Sequence, residues 1–159
     1  MIFITVGGSQ FPFDRMLEAC HDVAPGRRVL VQHGPSSVRP AGAECVDFLP
    51  MQELLANVRD ADAVVTHAGV GSILIALSNG KRPIVVPRLR THRETVDDHQ
   101  LESARRFAEA GLVELVENPQ ALRDALAVPP EPISVAGGPP GLVCELRSYL
   151  QSVIPTPVR

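Results

Sequence analysis

Short β-branched runs alternate with stretches of helical spacing along the first 127 residues. Ile2-Phe3-Ile4-Thr5-Val6 is predicted as a strand and is bounded by Gly7-Gly8. Phe13, Leu17 and Cys20 then repeat at helical spacing, predicting a helix to about Ala24, where Pro25-Gly26 breaks the pattern. Val29-Leu30-Val31 predicts a second strand and Glu44 to Leu49 a third. A short helix is expected from Met51 to Val58. Val64-Val65 belongs to a fourth strand ending at Thr66, followed by a glycine turn and a helix from Ser72 to Asn79 that stops at Gly80. Pro83 to Pro87 is a fifth strand, Asp98 to Ala110 a helix with Asp98 as N-cap, and Leu112 to Val116 the last strand. Asn118-Pro119 reads as an N-cap with proline at the first helical position, opening a helix to Ala127.

Strands alternating with helices predict an α/β fold: a Rossmann-like parallel sheet of about six strands with helices on both faces. The strands are continuously apolar, as buried parallel strands are. Residues 1–127 form one domain in this reading. A Pro/Gly-rich linker follows at 128–141, then a helix at 142–152 with Leu142, Leu146 and Leu150 on one face. That helix either packs back on its own domain, the reading adopted, or docks a partner.

Both glycine turns fall at the carboxyl ends of strands, where such sheets bind ligands. In Ala68-Gly69-Val70-Gly71-Ser72 the glycines permit a close backbone approach, and the helix behind them aims unpaired N–H groups and its positive dipole end at one spot. That spot suits a phosphate; the alternative is a plain strand–helix turn that binds nothing. Gly7-Gly8-Ser9-Gln10 would face the same crevice if the first and fourth strands are neighbours. Ser9 and Ser72 offer hydroxyl donors, and His67 can donate to a phosphate oxygen, so a diphosphate between the turns is a coherent picture. The long connection from Arg88 to Asp97 carries cations that can hold phosphate, a sugar carboxylate or the acids beside them. His99 and Gln100 are expected near the crevice mouth, where an amide reads sugar hydroxyls.

Composition narrows the chemistry. A net charge of -3 and 4% aromatic residues speak against nucleic acid as partner. The three cysteines are widely spaced, without zinc or disulfide spacing, and fit a reducing cytoplasm. No metal-ligand set, Walker lysine, full G-x-G-x-x-G or G-x-S-x-G elbow is present. Met1 leads directly into a strand without a leader, and no run is long enough to cross a membrane, so any membrane attachment is expected to come from a partner.

Together, Gly7-Gly8-Ser9-Gln10, His67-Ala68-Gly69-Val70-Gly71-Ser72 and Asp98-His99-Gln100 resemble the C-terminal half of family 28 GT-B glycosyltransferases, most of all the small Alg13-like and PssE-like subunits of two-component enzymes. The resemblance implies a half-domain that binds a UDP-sugar. Gly8, Ser9, Gln10, Gly69, Val70, Gly71 and Ser72 would hold the diphosphate, with His67 and Ser72 stabilising the leaving group. The backbone from Leu49 to Met51 would meet uracil, His99 and Gln100 would face the sugar, and Arg88 is counted with the substrate-binding residues. It implies an Alg14-like or PssD-like membrane-associated subunit that supplies the acceptor site, the general base and the anchor, with a lipid-linked sugar as acceptor. The protein would be cytoplasmic and recruited peripherally to the membrane, and in isolation a homo-oligomer remains open. No metal or other cofactor is expected. Exopolysaccharide or capsule synthesis in a bacterium is the implied setting. The alternatives are a nucleotide-sugar-binding regulatory subunit without turnover and a scaffold with a degenerate pocket. Many relatives carry a glutamate for the ribose hydroxyls where this chain has Ile75. Glucose, galactose, N-acetylglucosamine and glucuronate all remain open as the sugar, the cationic loop tilting toward an acidic one.

Overall fold

A computed structural model of the chain describes residues 1–133. Six parallel strands form one sheet: β1 (Ile2–Thr5), β2 (Val29–Gln32), β3 (Glu44–Val46), β4 (Ala63–His67), β5 (Ile84–Val86) and β6 (Glu114–Leu115). Their order is β3-β2-β1-β4-β5-β6. Among the described residues the helices are α1 (Asp14–Glu18), α2 (Met51–Asp60), α3 (Val70–Ser78), α4 (His99–Glu109) and α5 (Pro119–Ala127), with a 3₁₀ turn at Arg90–His92.

Both faces of the sheet are apolar because both are covered. Ile2, Ile4, Val29, Val31 and Val65 pack with Leu17, Leu122 and Leu126 of the α1 and α5 side. The residues between them, Phe3, Leu30 and Val64, pack with Val58 of α2 and Ala76 of α3. Val85 joins Ile73, Ala104 and Val113 under α3 and α4. Burying a side chain such as Phe3, which is fully covered, contributes about 2–3 kcal/mol.

The chain runs from β1 outward to β3, then returns to lay β4 on the other side of β1 and continues outward to β6. The strand order therefore reverses between β1 and β4, where Thr5 lies opposite Thr66. Ligand crevices of parallel sheets open beyond the carboxyl ends of strands at such a reversal. Both glycine turns begin there.

Several boundaries differ from expectation. The helix expected to run to Ala24 stops after five residues. Phe13, Leu17 and Cys20 are buried as their spacing implied, but Asp22 turns left-handed (φ 49) and donates its amide to Ala41 O. The His21 ring accepts the Ala41 amide, and together these contacts draw the chain sideways out of the helix. β3 ends at Val46, since Phe48 has turned out to solvent. α3 starts at Val70, two residues before the expected start, so Gly71 and Ser72 lie in its first turn. Asp98 occupies the position before α4 without capping it; its carboxylate takes the Arg90 amide, and Asp97 accepts the His99 amide. At α5, Asn118 Oδ1 caps the Ala121 amide at 2.8 Å, as expected.

The first residues of the expected linker pack back on the domain: the Ile133 amide donates to Gly80 O at 3.1 Å and its side chain joins the α3–α4 cluster. The rest of the linker and the helix expected at 142–152 lie outside the described residues.

Candidate functional site

His67 closes β4, and its imidazole fills the space between the two glycine turns. A Cβ on Gly7 would collide with the ring from one side, and a Cβ on Gly69 from the other. Gly7 also has φ 75, a conformation that favours glycine, so it is doubly constrained. Gly69 has ordinary backbone angles, φ -74 and ψ 126, and only the ring requires a glycine there. The two turns therefore meet through one side chain at the reversal point of the sheet.

Gly8 and Gly71 have different surroundings. Neither has positive φ, and a Cβ on either would meet nothing within 4 Å. Among the described residues no contact asks for glycine at these two positions. Both are exposed, and a missing side chain leaves their backbone open to approach.

The amides of Gly8, Ser9 and Gln10 have no acceptor among the described residues. The reason is local. Gln32, buried at the end of β2, receives Thr5 Oγ1 on its Oε1 and donates from Nε2 to both Gly7 O and Asp47 O at 3.3 Å. In a trans peptide the carbonyl and the following N–H point in opposite directions. Holding Gly7 O inward thus turns the Gly8 N–H outward. Ser9 Oγ accepts the Phe11 amide at 3.2 Å and keeps its own proton free to donate. Across the crevice, the amides at the start of α3 precede the first intrahelical bond, Ile73 N to Gly69 O at 3.1 Å, and the Ser72 hydroxyl has no partner among the described residues.

Burial holds the His67 pKa down at about 4, and the nearby positive charge of Arg88 adds to the effect. The imidazole is therefore neutral at pH 7, one ring nitrogen donating and the other accepting. It can offer a hydrogen bond to an anion but not a charge.

Arg88 does not stand where the sequence suggested. Its side chain is buried, and burial lowers its pKa to about 10, with Glu94 pulling the other way, so it remains charged. Nη1 donates to Phe11 O, Pro12 O and Glu94 O at 3.0–3.1 Å, and Nη2 to Val6 O at 3.0 Å. The guanidinium lies 4.5 Å from the centre of the Phe13 ring. With its two Nη groups on four backbone carbonyls and its Nε covered and unpartnered, the guanidinium does not face a donor sugar. Arg90, His92 and Arg93 of the same loop are exposed.

The remaining expected residues sit at the same end of the sheet. Leu49 turns its side chain into the core, leaving its backbone for contact, while Phe48 and Met51 beside it are exposed. His33, buried at the end of β2, reaches Asp47 Oδ1 at 2.8 Å and so ties this loop to β2. Gln100 is half-buried, with an Oε1 that is covered and unpartnered, an unmet acceptor at the start of α4. His99 is largely exposed. Ile75 is half-buried against the Phe3 and Leu30 cluster. Sequence reasoning missed Gln32 and Glu94. A buried Gln ending an apolar strand and a Glu amid loop cations were the available signals. A separate cavity of ≈ 330 Å³ opens at the opposite end of the sheet, lined by residues including Asp62, Lys81 and Pro130, and shares no residue with this crevice.

Known proteins resemble this chain in sequence and in fold. The family model described as "Glycosyltransferase family 28 C-terminal domain" matches residues 1–128. The UDP-N-acetylglucosamine transferase subunit ALG13 of Yarrowia lipolytica is 34% identical over 79 residues, covering 49% of this chain and 36% of that protein. The glycotransferase of kitacinnamycin superposes with a TM-score of 0.59 at 22% identity, over 95% of this chain and 38% of the other. CalG4, the calicheamicin glycosyltransferase, gives 0.56 at 20%, over 97% and 44%. SnogD from Streptomyces nogalater gives 0.53 at 17%, over 97% and 40%. At these identities the superpositions establish a shared Rossmann-like fold. The matches take in less than half the length of each of these proteins.

Proposed function

Since the chain belongs to the family of glycosyltransferase family 28 C-terminal domains, we propose that it is the donor-binding subunit of an inverting UDP-sugar glycosyltransferase. The observation that carries this reading is the pair of amide-bearing turns brought together by the His67 ring at the sheet's reversal point. Two adjacent sets of fixed N–H donors, one at a helix N-terminus, match the two phosphates of a nucleoside diphosphate.

In the proposed reaction an acceptor hydroxyl attacks the anomeric carbon as its bond to the β-phosphate oxygen breaks. UDP leaves with the bonding electrons, and the hydroxyl proton passes to a base. Charge grows on the diphosphate, so donors already aimed at it stabilise the transition state more than the ground state. Ser9, Ser72, neutral His67 and the N-terminus of α3 supply these donors, and the reading invokes no metal. No residue of this chain is assigned as the base. It is assigned, with the membrane anchor and the acceptor site, to a membrane-associated partner of the Alg14 or PssD kind. The UDP-N-acetylglucosamine transferase subunit among the relatives supports such a division. Among the described residues no helix is long and apolar enough to cross a membrane. A lipid-linked sugar as acceptor, in bacterial exopolysaccharide synthesis at the cytoplasmic face, completes the proposal.

Ile75, half-buried against the Phe3 and Leu30 cluster where many relatives carry the ribose ligand, favours a second reading, a subunit that senses nucleotide sugars without turning them over. Calorimetric titration with UDP tests what both share. Binding is expected with or without EDTA, and Ser72→Ala combined with His67→Ala should cost on the order of 3 kcal/mol, about 1.5 for each hydrogen bond to a charged group. Absence of binding at millimolar UDP would sink both readings. Coexpression with the membrane subunit and a transfer assay then separates them: transfer abolished in the double variant supports catalysis, and transfer that survives loss of UDP binding refutes it.

A further inference from the structure

We propose that Arg88 is a positioning residue that clamps the Gly7–Gln10 turn and joins it rigidly to the loop leading to Gln100. This rests on the donor-site reading above and assigns to Arg88 a role other than ligand.

The clamp is visible in what the guanidinium holds. Val6 O immediately precedes the turn, and Phe11 O and Pro12 O immediately follow it; one side chain bonds all three. The mouth of the turn is thereby closed by a rigid planar group. Arg88 also bonds Glu94 O, so the same group reaches the loop after β5. Glu94 is buried and pins that loop in turn: its carboxylate takes both Arg15 Nε and Nη2 at 2.9 Å, and the Leu89 amide at 2.9 Å. Arg15 adds a bond to Pro87 O at 2.8 Å. Phe13 lies within reach of both guanidiniums, 4.5 Å from Arg88 and 5.4 Å from Arg15.

The consequence concerns the unpaired amides of Gly8, Ser9 and Gln10. Three N–H groups converge on one anion only while the ends of their loop are fixed, and small displacements of such donors weaken binding steeply. Burial keeps the His67 ring neutral, and the nearby positive charge of Arg88 adds to that effect. Lysine cannot replace arginine in this role, because a single ammonium does not span four carbonyls with fork geometry.

The test compares UDP with uridine, which lacks the diphosphate, in wild type and Arg88→Lys, and follows the Gly8, Ser9 and Gln10 amides by nitrogen-15 NMR. The clamp requires Arg88→Lys to weaken UDP about ten-fold or more, with uridine affinity unchanged and the three amide signals shifted or broadened. Wild-type UDP affinity in Arg88→Lys would overturn it, as would equal losses for UDP and uridine, or unaltered amides. If Arg88→Lys does not fold, Arg15→Gln breaks the outer ion pair without touching the turn. It should weaken UDP selectively by a smaller factor, and an unchanged UDP-to-uridine ratio would overturn the proposal. Should wild type bind no UDP, the donor-site reading fails separately, and the amide spectra alone decide whether Arg88 orders the turn.

Discussion

His67 shows how far a single side chain can be read from its neighbours in sequence. A histidine between a strand and a glycine turn was legible as a residue of the crevice. Its wedge between Gly7 and Gly69 was not, because Gly7 belongs to the distant turn after β1 and only the β1–β4 pairing brings it there. The depressed pKa has a consequence for stability. The unfolded chain protonates this histidine near 6.5 and the folded one only near 4, so the unfolded state binds more protons between those values. Stability from this residue is complete above about pH 6.5 and is lost as pH falls toward 4, with a slope of at most about 1.4 kcal/mol per pH unit. Urea denaturation across that range should show a steeper loss in wild type than in His67→Gln; parallel curves would contradict the burial of the ring. Arg88 illustrates the opposite limit. A cation in a long loop looks like a ligand, and its true partners are carbonyls of residues 6, 11, 12 and 94, none marked in the sequence by a side-chain pattern.

Among the elements, the strands were legible because the sheet is buried on both faces and leaves continuous apolar runs. Helix ends were legible where a local chemical signal exists, as at Asn118-Pro119. They were not where a distant contact decides, as at α1, which gives way to the contacts of His21 and Asp22 with Ala41. The loop after β5 is long yet ordered from within, and Glu94 is its centre. Its ion pair with Arg15 is nearly covered, with 6% and 16% of the two side chains exposed. Removing one partner of a buried pair costs about 3–5 kcal/mol, so Glu94→Ala should lower the urea midpoint by a corresponding amount. A change within experimental error would mean that the loop is solvated and Glu94 does not organise it.

For the molecule as a whole, sheet topology does what no single motif does. Six parallel strands reversing order between β1 and β4 put two loops separated by some sixty residues at one crevice. The alternation of strand and helix was enough to expect that architecture, and the family match over residues 1–128 agrees with it. Which residues lie at the crevice, and which brace its turns, depends on packing between elements and became visible only in the folded chain.

The donor site stands or falls on whether the backbone at the glycine turns touches a diphosphate. UDP titrated into wild type and Gly71→Ala tests this most directly. Gly71 has no steric or conformational need to be glycine, and alanine in a helical turn stabilises a protein by about 0.4–1 kcal/mol. The expected result is a variant at least as stable as wild type that binds UDP about ten-fold or more weakly, because the new methyl group occupies the space the phosphate approaches. Equal UDP affinity in the two proteins would place the diphosphate elsewhere and contradict the site.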